Sequence, residues 1–213
     1  DSMNTTQPRI PVQESLLFMV ILTAVGGYMN AYSFLTHGAF TSLHTGNMVN
    51  LGMNLFQGRW SAISGVLFPI IGNITGAFLA ELLKRTQSGC TKRTWQRSTI
   101  AIELVVLGVI ALLPQAIPDA LANWFLSVTA GFQLSNFRSC EGTAHNTTIC
   151  TGNLRTIGQF LCAAVLTRKS QDVVKLLRYV LVVVAFPVGA GLGAVLTLRL
   201  ANYAAWVCCA GLA

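Results

Sequence analysis

Long stretches of this chain carry no charged residue. Asp, Glu, Lys and Arg are absent between Glu14 and Arg59, Arg59 and Glu81, Asp119 and Arg138, and Arg178 and Arg199. A helix that crosses a hydrocarbon core about 30 Å thick needs roughly 20 apolar residues. A single interval of this kind could be a buried helix in a soluble protein, whereas several of them predict a polytopic membrane protein.

Composition agrees with this interpretation. Of the 213 residues, 53% are hydrophobic and 10% are charged, with a mean hydropathy of +0.60, whereas soluble domains carry about 25% charged residues. The net charge of +7 comes from Lys and Arg that cluster between apolar segments, as orientation signals do. We therefore expect the lipid bilayer, and not nucleic acid, as partner. The six cysteines show no CxxC pair or metal-ligand spacing, so no cofactor and no metal are expected.

The second half of the sequence repeats the first. A shift of 106 residues places Thr45-Gly46-Asn47 on Thr151-Gly152-Asn153 and Asn30 on Asn136. Further matches, in the same order, are Thr23-Ala24 with Thr129-Ala130, Ser33 with Ser139, Ser42 with Thr148, Gly52 with Gly158, Leu55 with Leu161 and, after an insertion of 12 residues, Phe68-Pro69 with Phe186-Pro187. One matching tripeptide could be chance, but an ordered series indicates an internal repeat.

Long, uninterrupted apolar segments predict membrane helices. We place them at 14–36, 60–83, 98–115, 119–138 and 175–199, with a last helix that begins near residue 201 and is expected to continue beyond Ala213. The chain then divides into an amino-terminal tail (1–13), a first membrane repeat with its basic loop (14–97), a connecting membrane helix (98–118) and a second membrane repeat whose last helix is cut short (119–213).

The two segments that carry the Thr-Gly-Asn motif, 40–56 and 144–167, admit two topologies. If both cross, the chain has eight full spans in two parallel four-helix repeats, and the loop Lys and Arg residues divide almost evenly between the two sides. If both are re-entrant, only Arg59 and Arg199 lie on one side. Cytoplasmic loops collect basic residues, so we predict an all-α integral membrane protein with six crossings. Its halves are inverted repeats of three membrane helices each, with one re-entrant helix per half.

Each Thr-Gly-Asn motif is interpreted as the start of a short helix, because Thr and Asn are good N-caps and Gly permits unusual torsions. Two helix starts that meet from opposite sides would direct N–H groups and partial positive charge at one point. This suits an anion or the polar end of a neutral solute. The alternative is that each motif only caps a packed helix. The candidate substrate-binding residues are Thr45, Gly46, Asn47, Thr151, Gly152 and Asn153.

Further polar residues are candidate solute contacts. Asn30 and Asn136 lie inside apolar helices, where polar side chains face the bundle interior. They would line the solute path or bond one helix to another. His44 precedes the first motif, and Arg155 would bind an anionic solute or reach the lipid headgroups. Glu103, the one acid well inside an apolar run, is expected near the membrane interface.

No catalytic motif is present: the sequence has no nucleophile elbow, HExxH, phosphate loop or paired carboxylates. An enzyme is therefore disfavoured, and an intramembrane enzyme would depend on Cys150 with His44. A non-catalytic scaffold or partner subunit stays open as a further alternative. The patterns Gly72-x-x-x-Gly76 and Gly189-x-x-x-Gly193 fit close helix packing and could also join copies of the chain in a homo-oligomer.

Several of these residues belong to a known signature. The stretch Gly27-Tyr-Met-Asn-Ala-Tyr-Ser-Phe-Leu, then Gly38-Ala-Phe-Thr-Ser, Thr45-Gly46-Asn47 and Leu51-Gly52, resembles that of the YoaK-like family, which comprises small multi-spanning membrane proteins, mostly bacterial, classed as a domain of unknown function. The second half fits through Gly131-Phe-Gln, Thr151-Gly152 and Ile157-Gly158. The resemblance covers essentially the whole chain and implies its fold and membrane location. The family usually carries Asp where this chain has Asn30, so ion or proton coupling through that position is not expected here.

Taken together, these patterns predict a transporter or channel for a small neutral or anionic solute, located in the plasma (inner) membrane as a multi-pass protein. The site is expected where the two motifs meet. A facilitated mechanism is favoured over proton coupling, because no acid lies at the predicted centre.

Overall fold

Helices account for almost all of the structure. It is a computed structural model that describes residues 15–86, 89, 91–112, 117–137, 139–140, 143–144 and 150–212. The helices are α1 (Leu16–His37), α2 (His44–Phe56), α3 (Trp60–Thr86), α4 (Lys92–Leu112), α5 (Asp119–Asn136), α6 (Cys150–Thr167), α7 (Ser170–Leu200) and α8 (Ala204–Leu212). A 3-10 turn (Ala201–Tyr203) joins α7 to α8, and two antiparallel two-residue strands, β1 (Ser139–Cys140) and β2 (Thr143–Ala144), lie between α5 and α6.

Several helices have the length and hydropathy of membrane spans. They are the segments Leu16–His37, Trp60–Thr86, Thr94–Leu112 and Ser170–Leu200. Large apolar side chains on their surfaces are exposed, as lipid-facing side chains are; Phe78 is 63% exposed and Leu198 is 79% exposed. The prediction of an all-α, membrane-embedded protein is confirmed.

The two remaining crossings that were predicted correspond to α5 and α8. α5 is not among the span candidates, and it carries buried polar side chains, including Asn123, Ser127 and Gln133, that lower its hydropathy. α8 has nine residues. Both helices pack against α1 and α4, and α5 packs most extensively against α3.

α1 and α7 are in close contact and run in the same direction. Met19 packs against Val182 near the start of the contact, and Gly189 abuts the carbonyl of Ala24 farther along. A Cβ atom at position 189 would overlap that carbonyl, so the glycine permits the short distance between the two backbones.

α3 and α5 form a second parallel pair. Gly76 abuts the carbonyl of Val128, and farther along both helices the Lys84 ammonium donates to the carbonyl of Ser135 (2.8 Å). The two glycine patterns seen in the sequence therefore contact other helices of the same chain.

α1 and α5 run in opposite directions. The rings of Phe18 and Phe137 lie 5.5 Å apart at one end of the pair. At the other end, Nδ1 of His37 is 2.8 Å from Oδ1 of Asp119. The parallel pair of α1 and α7 is consequently antiparallel to the pair of α3 and α5.

The hydrophobic core lies between α1, α4, α5 and α8. Val25, Leu107, Leu126 and Cys208 are among its buried members. The Tyr28 hydroxyl in α1 donates to the carbonyl of Ala204 (2.7 Å), which ties the start of α8 to the middle of α1.

Two helices begin earlier than the sequence predicted. α4 begins at Lys92 and not near residue 98, and α7 begins at Ser170 and not near residue 175. An apolar run marks only the part of a helix that fits a hydrocarbon core, whereas the helix itself can continue into charged residues whose ends reach water or headgroups. Because α4 starts early, Glu103 lies roughly 16 Å along it, and this residue, expected near the membrane interface, is instead fully buried in the protein.

Candidate functional site

The loop between α1 and α2 turns back into the helix bundle. Gly38 ends α1 with a φ of 72°, in the left-handed region that favours glycine. Ser33 Oγ then lies 2.7 Å from the Ala39 carbonyl oxygen, and the Ser42 N–H donates to Oδ1 of Asn30 at 3.1 Å. Ser42 is therefore level with Asn30, roughly 10 Å before the end of α1.

Both the oxygen and the nitrogen of the Asn30 side-chain amide form hydrogen bonds with this loop. Its Oδ1 accepts the N–H groups of Ser42 (3.1 Å) and Leu43 (3.3 Å). Its Nδ2 donates to Ser42 Oγ (2.7 Å) and to the carbonyl of Gly26 (2.8 Å). Leu43 is the N-cap of α2 and makes no side-chain cap bond, so the start of α2 is held by a side chain of α1.

Asn47 closes the same loop from the opposite side. α2 begins at His44, so Thr45, Gly46 and Asn47 lie inside its first turn, and the expectation that the motif supplies the N-cap is wrong. Asn47 is fully buried. Its Oδ1 accepts the Phe40 N–H (3.1 Å), and its Nδ2 donates to the Phe40 carbonyl (2.7 Å). Thr45 is exposed, and a Cβ on Gly46 would lie 3.2 Å from the Phe40 ring.

A polar cavity of about 690 Å³ lies where α2 returns to the end of α1. The end of α1, the second half of α2 and the starts of α3 and α5 form its wall. Amide, hydroxyl and guanidinium groups in this wall come from Asn50, Asn54, Gln57, Ser61, Ser64 and Arg59. Among its described lining residues the one carboxylate is Asp119, which pairs with His37 at 2.8 Å.

The second motif occupies the equivalent place in α6. α6 begins at Cys150, so Thr151, Gly152 and Asn153 are its second to fourth residues, and Asn153 is buried. The side chains of Cys150 and Thr151 and residues 145–149 lie outside the described part of the chain, so the proposed pairing of Cys150 with His44 does too.

Asn136 and Arg155 differ in their surroundings. Asn136 is buried, and its Nδ2 donates to Thr99 Oγ1 (2.8 Å) and to the carbonyl of Phe132 (3.0 Å). It therefore bonds α5 to α4. Arg155 is exposed and is not among the residues that line the polar cavity.

The two motifs pack on different partners. α2 packs mainly against α3, whereas α6 packs mainly against α7. His44, at the start of α2, is half-buried beside Asn73 of α3. Within the described residues, no group of three or more His, Cys, Asp or Glu side chains could hold a metal ion. The described contacts therefore build one loop-and-cavity site around the first motif.

Sequence reasoning missed most residues of the polar cavity. Asn50, Asn54 and Gln57 recur at helical spacing on one side of α2, and this amphipathic pattern was available in the sequence. The pairing of His37 with Asp119 gave no such signal, because the two residues are 82 positions apart.

Comparisons with known proteins identify a family without a named activity. No curated protein and no solved structure matches the chain. A family model matches residues 18–213, which include both motifs and the eight described helices apart from the first two residues of α1. The YoaK-like resemblance is consistent with this match. The chain belongs to the family described as "Protein of unknown function (DUF1275)".

Proposed function

We propose that the protein is a transporter or channel that passes a small neutral or anionic solute across the membrane, without a catalytic step. The observation that carries the proposal is the path of residues 38–57, which enter the bundle beside Asn30 and return to line the polar cavity. Irregular backbone at membrane depth is tolerated where it is buried in protein or lines a water-filled cavity, and interrupted helices of this kind form the solute sites of many transporters.

The chemistry of the polar cavity supports this choice of solute. Its amide and hydroxyl side chains can both donate and accept hydrogen bonds, and Arg59 adds a positive charge. The carboxylate of Asp119 faces His37 at 2.8 Å. These groups favour a neutral or negatively charged solute over a cation.

An inverted repeat is the proposed topology. α1 ends and α5 starts at the polar cavity, and the two span candidates α3 and α4 lie between them. Two crossings return a chain to its starting side, so α2 is proposed to enter and leave the membrane on one side. α7 runs parallel to α1 and antiparallel to α5. Because α5 and α7 are antiparallel, α6 between them is also proposed to enter and leave the membrane on one side. Eight full spans in two parallel four-helix repeats would instead require α1 and α5 to run in the same direction.

The distribution of basic residues supports a sidedness. In this topology Arg59 and Arg199 lie at the end of the bundle that contains the polar cavity, and the other loop Lys and Arg residues lie at the opposite end. The positive-inside rule supports a polar cavity on the side away from the cytoplasm. We therefore propose a multi-pass protein of the plasma membrane with facilitated transport.

The residues of the repeat have two proposed roles. Asn30 and Asn47 position the loop, because main-chain groups already occupy their amides. His44, Thr45 and Gly46 are proposed solute contacts at the start of α2. The equivalent residues proposed for the second half are Asn136, Thr151, Gly152 and Asn153, with Arg155 as an anion contact.

Thermal unfolding of the purified protein in lipid nanodiscs tests the proposal against inorganic phosphate, sulfate, acetate, urea and glycerol. We expect at least one probe to raise Tm, because a ligand at 100 times its Kd stabilises a protein by about 2.7 kcal/mol. Asn54→Leu should weaken that response, and Arg59→Gln should weaken the response to an anion. Arg199→Gln changes an exposed arginine that does not line the polar cavity and is the matched control. The proposal fails if no probe shifts Tm of the folded protein or if the cavity variants respond like the control.

A further inference from the structure

A second cavity lies on the other side of the pair formed by His37 and Asp119. Its volume is about 700 Å³, in the range of sites that hold small organic molecules. α1, α4, α5 and α7 form its wall. His37 and Asp119 line both this cavity and the polar cavity. The pair therefore lies between the polar cavity and this second, largely apolar cavity.

Three side chains in the wall end in buried polar atoms that have no hydrogen-bond partner in the described part of the chain. These atoms are Oη of Tyr32, Nε2 of His37 and Oγ1 of Thr197. Tyr32 is 2% exposed and Thr197 is 6% exposed. His37 lines both cavities, whereas Tyr32 and Thr197 line only this one. Buried polar groups in folded proteins are almost always paired, so the two unpaired hydroxyls point to a bound molecule that carries a polar group.

The other lining residues indicate the chemistry of the main part of the bound molecule. Val105, Val109 and Phe125 contribute apolar surface, and the two titratable lining residues, His37 and Asp119, face each other at 2.8 Å. Val105 is 64% exposed on the lipid-facing side of α4, which gives access from the hydrocarbon phase. An uncharged molecule with an apolar body matches this surface.

We propose that this apolar cavity binds an uncharged, largely apolar molecule that carries one hydroxyl group and enters from the hydrocarbon phase. The hydroxyl both donates and accepts and so can pair with Tyr32 and Thr197, while the apolar body fills the remaining volume. A lipid acyl chain would fill the volume but leave both side-chain oxygens unpaired. The site is separate from the polar cavity and goes beyond the proposed transport function.

Two matched probes test the proposal, 4-tert-butylphenol and tert-butylbenzene, which differ by one hydroxyl. Affinity is measured from the concentration dependence of Tm in nanodiscs. We expect the phenol to bind about five-fold more tightly than the hydrocarbon, the difference that one hydrogen bond typically makes. Tyr32→Phe and Thr197→Val should each reduce this preference, because each removes only an unpaired hydroxyl.

Thr36→Val is the control within the same cavity, because the Thr36 hydroxyl already donates to the carbonyl of Tyr32 at 2.7 Å. It should keep the preference for the phenol. Equal binding of the two probes, or a preference that Tyr32→Phe and Thr197→Val leave intact, would overturn the proposal and indicate hydrocarbon filling only. Binding of neither probe would also overturn it. Arg59→Gln should not change the response to the phenol, which separates failure here from failure of the transport proposal.

Discussion

Asn30 in α1 binds Ser42, twelve residues later in the chain, through both ends of its side-chain amide. Its Oδ1 accepts the Ser42 N–H at 3.1 Å, and its Nδ2 donates to Ser42 Oγ at 2.7 Å. Each residue is 2% exposed. This contact determines how deep in the bundle α2 begins, and therefore the position of every α2 residue that faces the polar cavity.

The loss of stability caused by a substitution at Asn30 should depend on whether the new side chain keeps a hydrogen-bond acceptor for the loop. Asn30→Leu leaves the buried N–H groups of Ser42 and Leu43 unpaired, and each such group typically costs about 1–3 kcal/mol. Asn30→Asp keeps an oxygen for both N–H groups, so its Tm in mild detergent should fall less. Equal losses for the two variants would show that Asn30 does not act by accepting these bonds.

Substitutions at Asn47 and Asn50 should distinguish a side chain that stabilises the loop from one that contacts the solute. Asn47→Ala removes both hydrogen bonds to Phe40 and should lower Tm by an amount corresponding to roughly 1–3 kcal/mol. Asn50→Ala, one turn later in the wall of the polar cavity, should leave Tm of the solute-free protein near that of the wild type. The interpretation is contradicted if Asn47→Ala is as stable as Asn50→Ala.

Close helix packing should make Gly189 intolerant of a side chain. Gly189→Ala places a Cβ on the Ala24 carbonyl of α1 and should lower Tm, with a cost of about 1–3 kcal/mol for overpacking. Gly191 lies in the same helix, and a Cβ there meets nothing within 4 Å, so Gly191→Ala should leave Tm unchanged or slightly raised. A stable Gly189→Ala variant would argue against the contact between α1 and α7.

The free energy of unfolding should depend more on Asn123 than on Asp119, although both residues connect α1 to α5. Asn123 is fully buried, and its Nδ2 donates to the His37 carbonyl at 3.0 Å; Asn123→Ala should cost about 1–3 kcal/mol. The Asp119 side chain is 66% exposed, and exposed ion pairs contribute about 0–1 kcal/mol. Unfolding of Asp119→Asn should therefore resemble that of the wild type, and a larger loss for Asp119→Asn than for Asn123→Ala would reverse this ranking.

The helical, membrane-embedded fold could be predicted from the sequence because the length of an apolar segment is a local signal. The Thr-Gly-Asn motifs were also correctly placed near helix starts, since Thr45 and Thr151 are the second residues of α2 and α6. The starts of α4 and α7 could not be placed, because helices continue past the apolar run into charged residues. Lys92 and Ser170 mark how far they extend.

The contacts of the site were less accessible to sequence reasoning. Asn30 could equally line a solute path or hold a neighbouring segment, and only the reversal of the chain at Gly38 brings Ser42 to it. The same reversal makes Asn47 a partner of Phe40. The proximity of Tyr32 and Thr197 in one cavity wall depends on the packing of α1 against α7, which no local pattern encodes.

The topology can be tested with single cysteines labelled by a membrane-impermeant maleimide on intact cells. The background is a variant in which the six native cysteines are replaced by alanine. Four exposed positions are used: Gln57→Cys, Gly89→Cys, Lys169→Cys and Tyr203→Cys. The inverted repeat predicts that positions 57 and 203 label from one side and that positions 89 and 169 label from the other. Labelling of position 57 from the same side as position 169, as eight full spans in two parallel repeats require, would contradict it.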